Sequence, residues 1–322
     1  MSERSMGTIQ IGAMYMGGDG ITVKEFAVAA EAAGFDSVWT GDHLAHYVDG
    51  IASLGILAGC TERVTIGSNV LVAPFRPAAV VAKAVLTTAQ SARRRVVMGI
   101  GPGGDVPIEF AMAGADAATR GRYTDEALDV IAGLWSGRPF SYAGRWNRFD
   151  EVVMEPVTGP RPDVWIGGRS AAALRRAVRR GSGYNPYLVS PEQVAKRYAA
   201  LRSIAVEEGV DVEGGSFDFA ATTFYVPGTD AEEAFRRGFE RVGFRGVSAR
   251  HFRRAYLLGA AEDLRHGIDA YRAAGVGHLV IGCAPGAPGQ LDSFMASFAE
   301  VLDEVRRSAP APVGGGRIGG HG

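Results

Sequence analysis

The sequence predicts an α/β fold, a single (β/α)8 TIM barrel with insertions between strands at the C-terminal face, and three observations predict it. Short apolar runs rich in β-branched residues alternate with longer segments of helical period through most of the 322 residues. That is the pattern of parallel strands joined by helical crossovers. Eight strands are read in this way, the number that closes a barrel. Nothing marks a domain break before residue 308, so 1–308 is read as one domain, while Ala309 to Gly322 is rich in Pro and Gly and is expected to be a disordered tail.

Thr8 to Met14 reads as the first strand. Val23 to Ala33 follows as a helix: Thr22 caps it, Glu25 stands at its third position, and Gly34 stops it. Asp36 to Thr40 is the second strand and Ile51 to Gly59 a short helix. Val64 to Val72 is the third strand, and the helix Pro77 to Ser91 begins on a proline, as first-turn positions favour. Arg95 to Gly101 is the fourth strand and Thr119 to Trp135 a long helix. Strand Asp163 to Gly167 precedes helix Ser170 to Arg180, strand Tyr184 to Val189 precedes the Ser190-capped helix Pro191 to Glu208, and strand Phe217 to Val226 precedes helix Asp230 to Arg241. Ala260 to Ala274 is a further helix, His278 to Ile281 the last strand and Leu291 to Arg307 the last helix. Two segments interrupt the alternation. Gly137 to Pro156 carries Phe140, Tyr142, Trp146, Phe149 and Val152 between turn residues and is read as a β-hairpin insertion. Gly243 to Gly259 is aromatic and basic with no clean period; its arginines, Arg253 and Arg254 among them, suit a solvated connection, a dimer contact or a cap over an anionic ligand.

Composition excludes several classes. Hydrophobic residues make up 47% and charged residues 21%, ordinary for a globular protein, and the net charge of −1 leaves no basic footprint for nucleic acid. No apolar run reaches the roughly 18 residues of a spanning helix. Met1 to Met6 lacks the apolar core of a secretion signal, so a cytoplasmic location is expected. Cys60 and Cys283 are the only cysteines, too few for a disulfide scaffold or a Cys-based zinc site.

A barrel carries its active site at the C-terminal ends of its strands, which confines the search. The first strand ends at Met14, the second runs into Gly41-Asp42-His43, and the third ends around Ser68-Asn69-Val70. The fourth runs into Gly101-Pro102-Gly103-Gly104 and the fifth into Gly167-Gly168-Arg169-Ser170. Asp42 and His43 form the one carboxylate–imidazole pair at a strand end. His43 suits proton transfer near neutral pH, or the pair shapes its loop. His46 lies close by, but the spacing is not a ligand motif and no metal is expected. Trp165 to Ser170 is the phosphate candidate: two glycines admit an anion, Arg169 adds charge, and Ser170 opens a helix whose N–H groups and dipole favour negative charge. The same residues also suit an ordinary βα turn. A competing location is Ile281 to Gly286. Gly99 to Gly104 is not a dinucleotide fingerprint, because Pro102 interrupts it and no helix opens directly; it suits a strand end passing a flat ligand.

These pieces, in this order, resemble the bacterial-luciferase-like flavin and deazaflavin oxidoreductases. Gly34-Phe-Asp-Ser-Val-Trp-Thr-Gly-Asp-His43 resembles the family's second-strand signature, Arg63-Val-Thr-Ile-Gly67 with Asn69 to Pro74 and Arg76-Pro77 its third strand and turn, and Val96 to Gly101 its fourth. Glu109, Gly114, Arg122 and Glu126 fall at the family's spacing; Pro162 to Gly168 resembles the phosphate-side strand and Ala274 to Val280 the closing strand. The resemblance runs from about Ile9 to Leu302. It implies a (β/α)8 barrel holding coenzyme F-420 or, alternatively, FMN. It also implies His43 with Asp42 near the ring, and a cis peptide or bulge at Asn69-Val70 behind it. Met14, Ser68, Asn69, Val70, Gly101, Pro102, Gly103, Gly167, Gly168, Arg169, Ser170 and Tyr184 are the implied cofactor contacts. Gly104 stands where sugar-phosphate dehydrogenases of the deazaflavin branch carry a Glu, and Gly181-Ser-Gly-Tyr184 replaces an acidic residue near the sixth strand.

The reaction expected is hydride transfer between reduced coenzyme F-420 and a small organic substrate, in a homodimer fed by a deazaflavin or flavin reductase. The alternative is an FMN-dependent monooxygenase using oxygen. A cofactor-free barrel and a metal-dependent hydrolase are the readings from other classes. No nucleic acid or membrane partner is expected.

Overall fold

The computed structural model describes residues 9–17, 20–92, 95–104, 106–155, 159, 161–242, 247–283 and 290–307. Eight parallel strands form a closed ring: β1 Gln10–Tyr15, β2 Ser37–Thr40, β3 Thr65–Val72, β4 Val96–Gly101, β7 Asp163–Gly167, β8 Gly183–Asn185, β9 Asp218–Pro227 and β11 His278–Cys283. Two registers close it. Gln10 of β1 stands opposite His278 of β11, and Gly183 of β8 opposite Asp218 of β9. The first and last strands therefore pair, as a barrel requires. Helices α1 Val23–Ala32, α2 Gly50–Cys60, α3 Ala78–Ala92, α5 Arg120–Leu134, α6 Ala171–Arg180, α7 Pro191–Glu208, α8 Ala231–Val242, α10 Ala261–Ala273 and α11 Gln290–Arg307 return the chain between strands. No helix among the described residues is long and apolar enough to cross a membrane.

Alternation along each strand sorts the side chains. Ile11, Ala13 and Tyr15 of β1 join the large apolar layer under the helices, while Met14 joins the lumen with Trp39, Val97, Trp165, Ala220 and Val280. Trp39 and Trp165 fill the lower lumen, stacked with ring centroids 4.8 Å apart. Glycines on facing strands make the room. A Cβ at Gly67 would lie 2.3 Å from Trp39, and one at Gly183 2.4 Å from Trp165. Polar atoms at this base bond one another: the Trp39 indole donates to Ser37 at 2.7 Å and the Trp165 indole to Asp218 at 3.0 Å. Arg95 ties Asp163 to Asp218. The base is a packed plug and not a pore.

The predicted hairpin forms, but not at the C-terminal face: it lies between α5 and β7, on the connection that enters a strand. β5 Phe140–Ala143 and β6 Arg148–Val152 pair antiparallel. Glu126 of α5 holds their turn, accepting the backbone N–H of Arg145, Trp146 and Asn147 at 2.9, 2.9 and 2.7 Å.

Four further expectations need correction. The strand predicted over Tyr184 to Val189 is short: Pro186 has no N–H to donate and Leu188 lies at φ 50, so beyond Asn185 only Tyr187 bridges to Thr222. The helix expected at Ile51 begins at Gly50, because Asp49 accepts the Ala52 N–H at 2.7 Å. Part of the aromatic, basic segment is ordered: α9 Ala249–Ala255, capped by Ser248, leads into β10 Leu257–Gly259 on the upper edge of β9. A short helix, α4 Pro107–Met112, precedes α5 and was not predicted. Residues 243–246, the Pro/Gly-rich tail, Met1 to Met6 and residues 284–286 of the competing phosphate location lie outside the described residues.

Candidate active site

His43 leaves the end of β2 in the loop before α2. Its Nδ1 lies 3.0 Å from Glu109, which also accepts the backbone N–H of Leu44 and Ala45, both at 2.9 Å. One carboxylate thus fixes both the loop and the ring. Burial alone would raise the Glu109 pKa, but the Ala45 N–H, His43 and the Leu44 N–H together hold it below the ordinary carboxylate value. An ionised carboxylate only accepts, so Nδ1 carries the proton facing it. Nε2 has no hydrogen-bond partner among the described residues.

Asp42 does not join His43, which corrects the expected pair. Its side chain is fully buried on the opposite side of the loop. It accepts the N–H of Gly50 and of Val72 at 2.9 Å each and a bidentate guanidinium from Arg76 at 2.8 Å on both arms. Arg76 also reaches Asp49. Every acceptor position of Asp42 is engaged, so it anchors the loop that carries His43.

The remaining predicted residues divide into a floor and a rim. The third strand carries a cis peptide at Asn69-Val70 and a shift of register between Ser68 and Leu71. Ser68 turns away, donating to the Gly99 carbonyl at 2.9 Å. Asn69 enters the lumen. Its amide donates to Thr222 at 2.7 Å, Thr222 to Asn185 at 2.9 Å, and Asn185 back to Asn69 at 3.2 Å. Met14 sits beside this closed ring, its sulfur 3.4 Å from the Asn69 amide. Val70 points toward β4 and β7, and this is what Gly101 and Gly167 accommodate. A Cβ at Gly167 would lie 2.9 Å from Val70 and one at Gly101 3.1 Å from it. Those two glycines therefore make room for the bulge, not directly for an anion. Pro102 and Gly103 continue the rim, Gly103 at φ 66 above Val72.

At the end of β7, Gly168 lies at φ 121, a conformation that suits glycine. Ser170 caps α6, accepting the Ala173 N–H at 3.2 Å, and Arg169 is exposed beside it. Tyr184 donates to the Gly168 carbonyl at 2.9 Å. Burial pushes the Tyr184 phenol up against the pull of Arg197, so it stays a donor. Arg197 of α7 bonds the Arg169 carbonyl, and its Nε is buried without a partner. Arg120 of α5 reaches the neighbouring loop near Gly104. Arginines, helix N–H groups and a glycine turn thus gather at the ends of β4 and β7. Among the described residues no three His, Cys, Asp or Glu side chains are placed to hold a metal.

Sequence reasoning missed Asn185, Thr222 and Arg197. It named Glu109 only by its spacing. Gly183 and Ala220 face the lumen in the structure, and period-two alternation from them, the signal that could have found the missed residues, leads to Asn185 and Thr222.

Fold and site together define a (β/α)8 barrel whose chemistry-bearing groups meet at the C-terminal mouth. The chain belongs to the family described as luciferase-like monooxygenase, whose profile matches residues 8–274. It is 29% identical, over 211 residues, to a Microbacterium testaceum (strain StLB037) protein named F420-dependent glucose-6-phosphate dehydrogenase, covering 63% of this chain and 62% of that protein. The chain thus spans less than two thirds of that relative's length. Two solved structures share the fold. One is an F420-dependent secondary alcohol dehydrogenase in complex with an F420-acetone adduct (TM-score 0.82, 21% identity, 93% of this chain and 99% of that one). The other is the oxygenating constituent of 3,6-diketocamphane monooxygenase from Pseudomonas putida in complex with FMN (TM-score 0.74, 17% identity, 95% of this chain and 99% of that one).

Proposed function

We propose that this chain is an oxidoreductase that binds coenzyme F-420 in the barrel mouth and exchanges hydride between it and a small organic substrate. The observation that carries this reading is the placement of His43, held by Glu109 at one ring nitrogen with the other unspent, across a glycine-lined floor from an anion-ready turn. The residues present fit the cofactor. Gly168, Arg169, Ser170 and the α6 N-terminus would hold its phosphate, and the orphaned Arg197 Nε supplies a buried donor at the same turn. Val70 and the Asn69–Thr222–Asn185 ring would support its tricyclic face. When bound, the deazaflavin accepts or donates two electrons as hydride. His43 then moves the accompanying proton: in alcohol oxidation the carbinol hydrogen leaves as hydride and the hydroxyl proton passes to Nε2, and ketone reduction is the reverse. Glu109 holds the imidazole in the tautomer that this needs.

FMN is the second reading, supported by the FMN-bound neighbour of the same fold; it shares the phosphate turn and the flat floor. Titration of the protein with oxidised coenzyme F-420 and with FMN, followed by an oxygen electrode during turnover, separates the two. The leading reading expects F-420 binding and turnover without oxygen uptake. FMN binding with no F-420 binding, and oxygen consumption, would reverse it.

A further inference from the structure

Ring order places β11 and β1 across the barrel from β4 and β7. The two sides of the mouth differ in chemistry. Over β4 and β7 lie Arg120, Arg169 and the Arg197 guanidinium. Over β9, β11 and β1 lie aromatic rings and a thioether. A Cβ at Gly282 would meet Phe224 at 2.5 Å and Met16 at 3.4 Å, so both side chains stand above that strand end. Tyr187 meets Phe224 edge-on at 5.8 Å, Tyr256 stacks on it at 5.7 Å, and Phe252 stacks on Tyr256 at 4.0 Å. Tyr47 meets His43 at 5.0 Å, and a Cβ at Gly17, just past β1, would lie 3.6 Å from Tyr47.

We propose that this apolar side is the substrate side, and that it takes an uncharged alcohol or ketone with an apolar ring skeleton, not a sugar phosphate. The inference rests on the cofactor reading above, which places the phosphate at the opposite side. Three further observations favour it. Two of the three arginines of α9 are spent, Arg250 being exposed: Arg253 makes a bidentate pair with Glu232 at 2.8 and 3.0 Å and lies over Phe235, and Arg254 pairs with Glu192. The polar side chains of the floor, Asn69, Thr222 and Asn185, bond to one another, which leaves a polyhydroxylated ligand few partners. A phosphate lodged among Met16, Phe224 and Tyr187 would lose its hydration without a counter-charge, a large cost. An apolar ring instead gains contact with aromatic faces and a polarizable sulfur. Its hydroxyl or carbonyl is the one polar group the site requires, and His43 Nε2 meets it.

Calorimetric titration tests the class directly. Cyclohexanone and glucose 6-phosphate are titrated separately into the protein alone and into the protein saturated with F-420, for wild type and for Met16→Lys, with F-420 affinity measured on each variant. The expected result is cyclohexanone binding without glucose 6-phosphate binding to the wild type. In M16K the ketone is weakened by about tenfold or more, as a cation in an apolar site demands, with F-420 affinity unchanged. Glucose 6-phosphate binding as well as the ketone overturns the proposal, as does ketone affinity unaltered in M16K and in a second variant, Tyr187→Lys. Absence of F-420 binding alone sinks the cofactor reading, and the titrations without cofactor still decide the substrate class.

Discussion

The base and the mouth of this barrel are built by the same eight strands, yet they spend their side chains differently. At the base, Trp39 and Trp165 fill the lumen, glycines yield space to them, and Arg95 neutralises Asp163 and Asp218. Every bulky group has a partner inside the protein. At the mouth the glycines make room for a bulge and a turn, while His43 Nε2 and Arg197 Nε have none among the described residues. At the mouth the unspent groups suit a ligand: Arg197 Nε is a buried donor, and His43 Nε2, on a partly exposed ring, is an acceptor while Nδ1 holds the proton.

The contrast can be broken at either end. Trp165→Ala empties the lower lumen and should cost about 3–5 kcal/mol of stability, read by denaturant unfolding; a loss well under that would mean the plug is not structural. Asp42→Asn removes one of the two carboxylates that hold Arg76, leaving Asp49, and should destabilise by about 1–3 kcal/mol, although the residue sits next to His43. If the folded D42N protein kept wild-type stability but lost turnover, the structural assignment of Asp42 would be wrong. His43→Ala reverses this pattern: kcat should fall by about 10²–10⁴-fold with stability and F-420 affinity close to wild type.

A smaller effect separates Glu109 from a mere packing residue. Its folded pKa is below the unfolded value, so its contribution to stability is present above about pH 4.3 and is lost as pH falls through the folded value. Glu109→Gln should therefore lower Tm at neutral pH, and the gap from wild type should close in acid. A gap that stayed constant between neutral and acidic pH would show that ionisation of Glu109 plays no part.

The barrel was legible in the sequence because period-two and helical runs alternate over nearly the whole chain, and capping boxes such as Thr22 with Glu25 mark helix starts. Legibility failed where one residue overrode a pattern. Pro186 and Leu188 cut β8 short within an apolar run. In α9 a short helix was hidden by aromatic and basic residues on all its faces. The site was harder. Asp42 and His43 are neighbours in sequence, but consecutive residues leave a strand end in opposite directions, so one enters the ion cluster with Arg76 and the other faces the mouth. The true partner of His43 lies 66 residues away, and no local pattern reports such a distance. The turn proposed for the phosphate, by contrast, is local, since glycine, arginine and a capping serine stand in consecutive positions.

Whether the β7–α6 turn and Arg197 grip a phosphate is decided by one titration. Affinity is measured for coenzyme F-420 and for the deazaflavin chromophore lacking the phosphate and its tail, in wild type and in Arg197→Met. Wild type should bind the phosphorylated form more tightly by about tenfold or more, the worth of a charge-assisted hydrogen bond. R197M should shrink that preference while leaving the chromophore affinity unchanged. Equal affinity for both forms in the wild type, or an undiminished preference in R197M, would contradict the account.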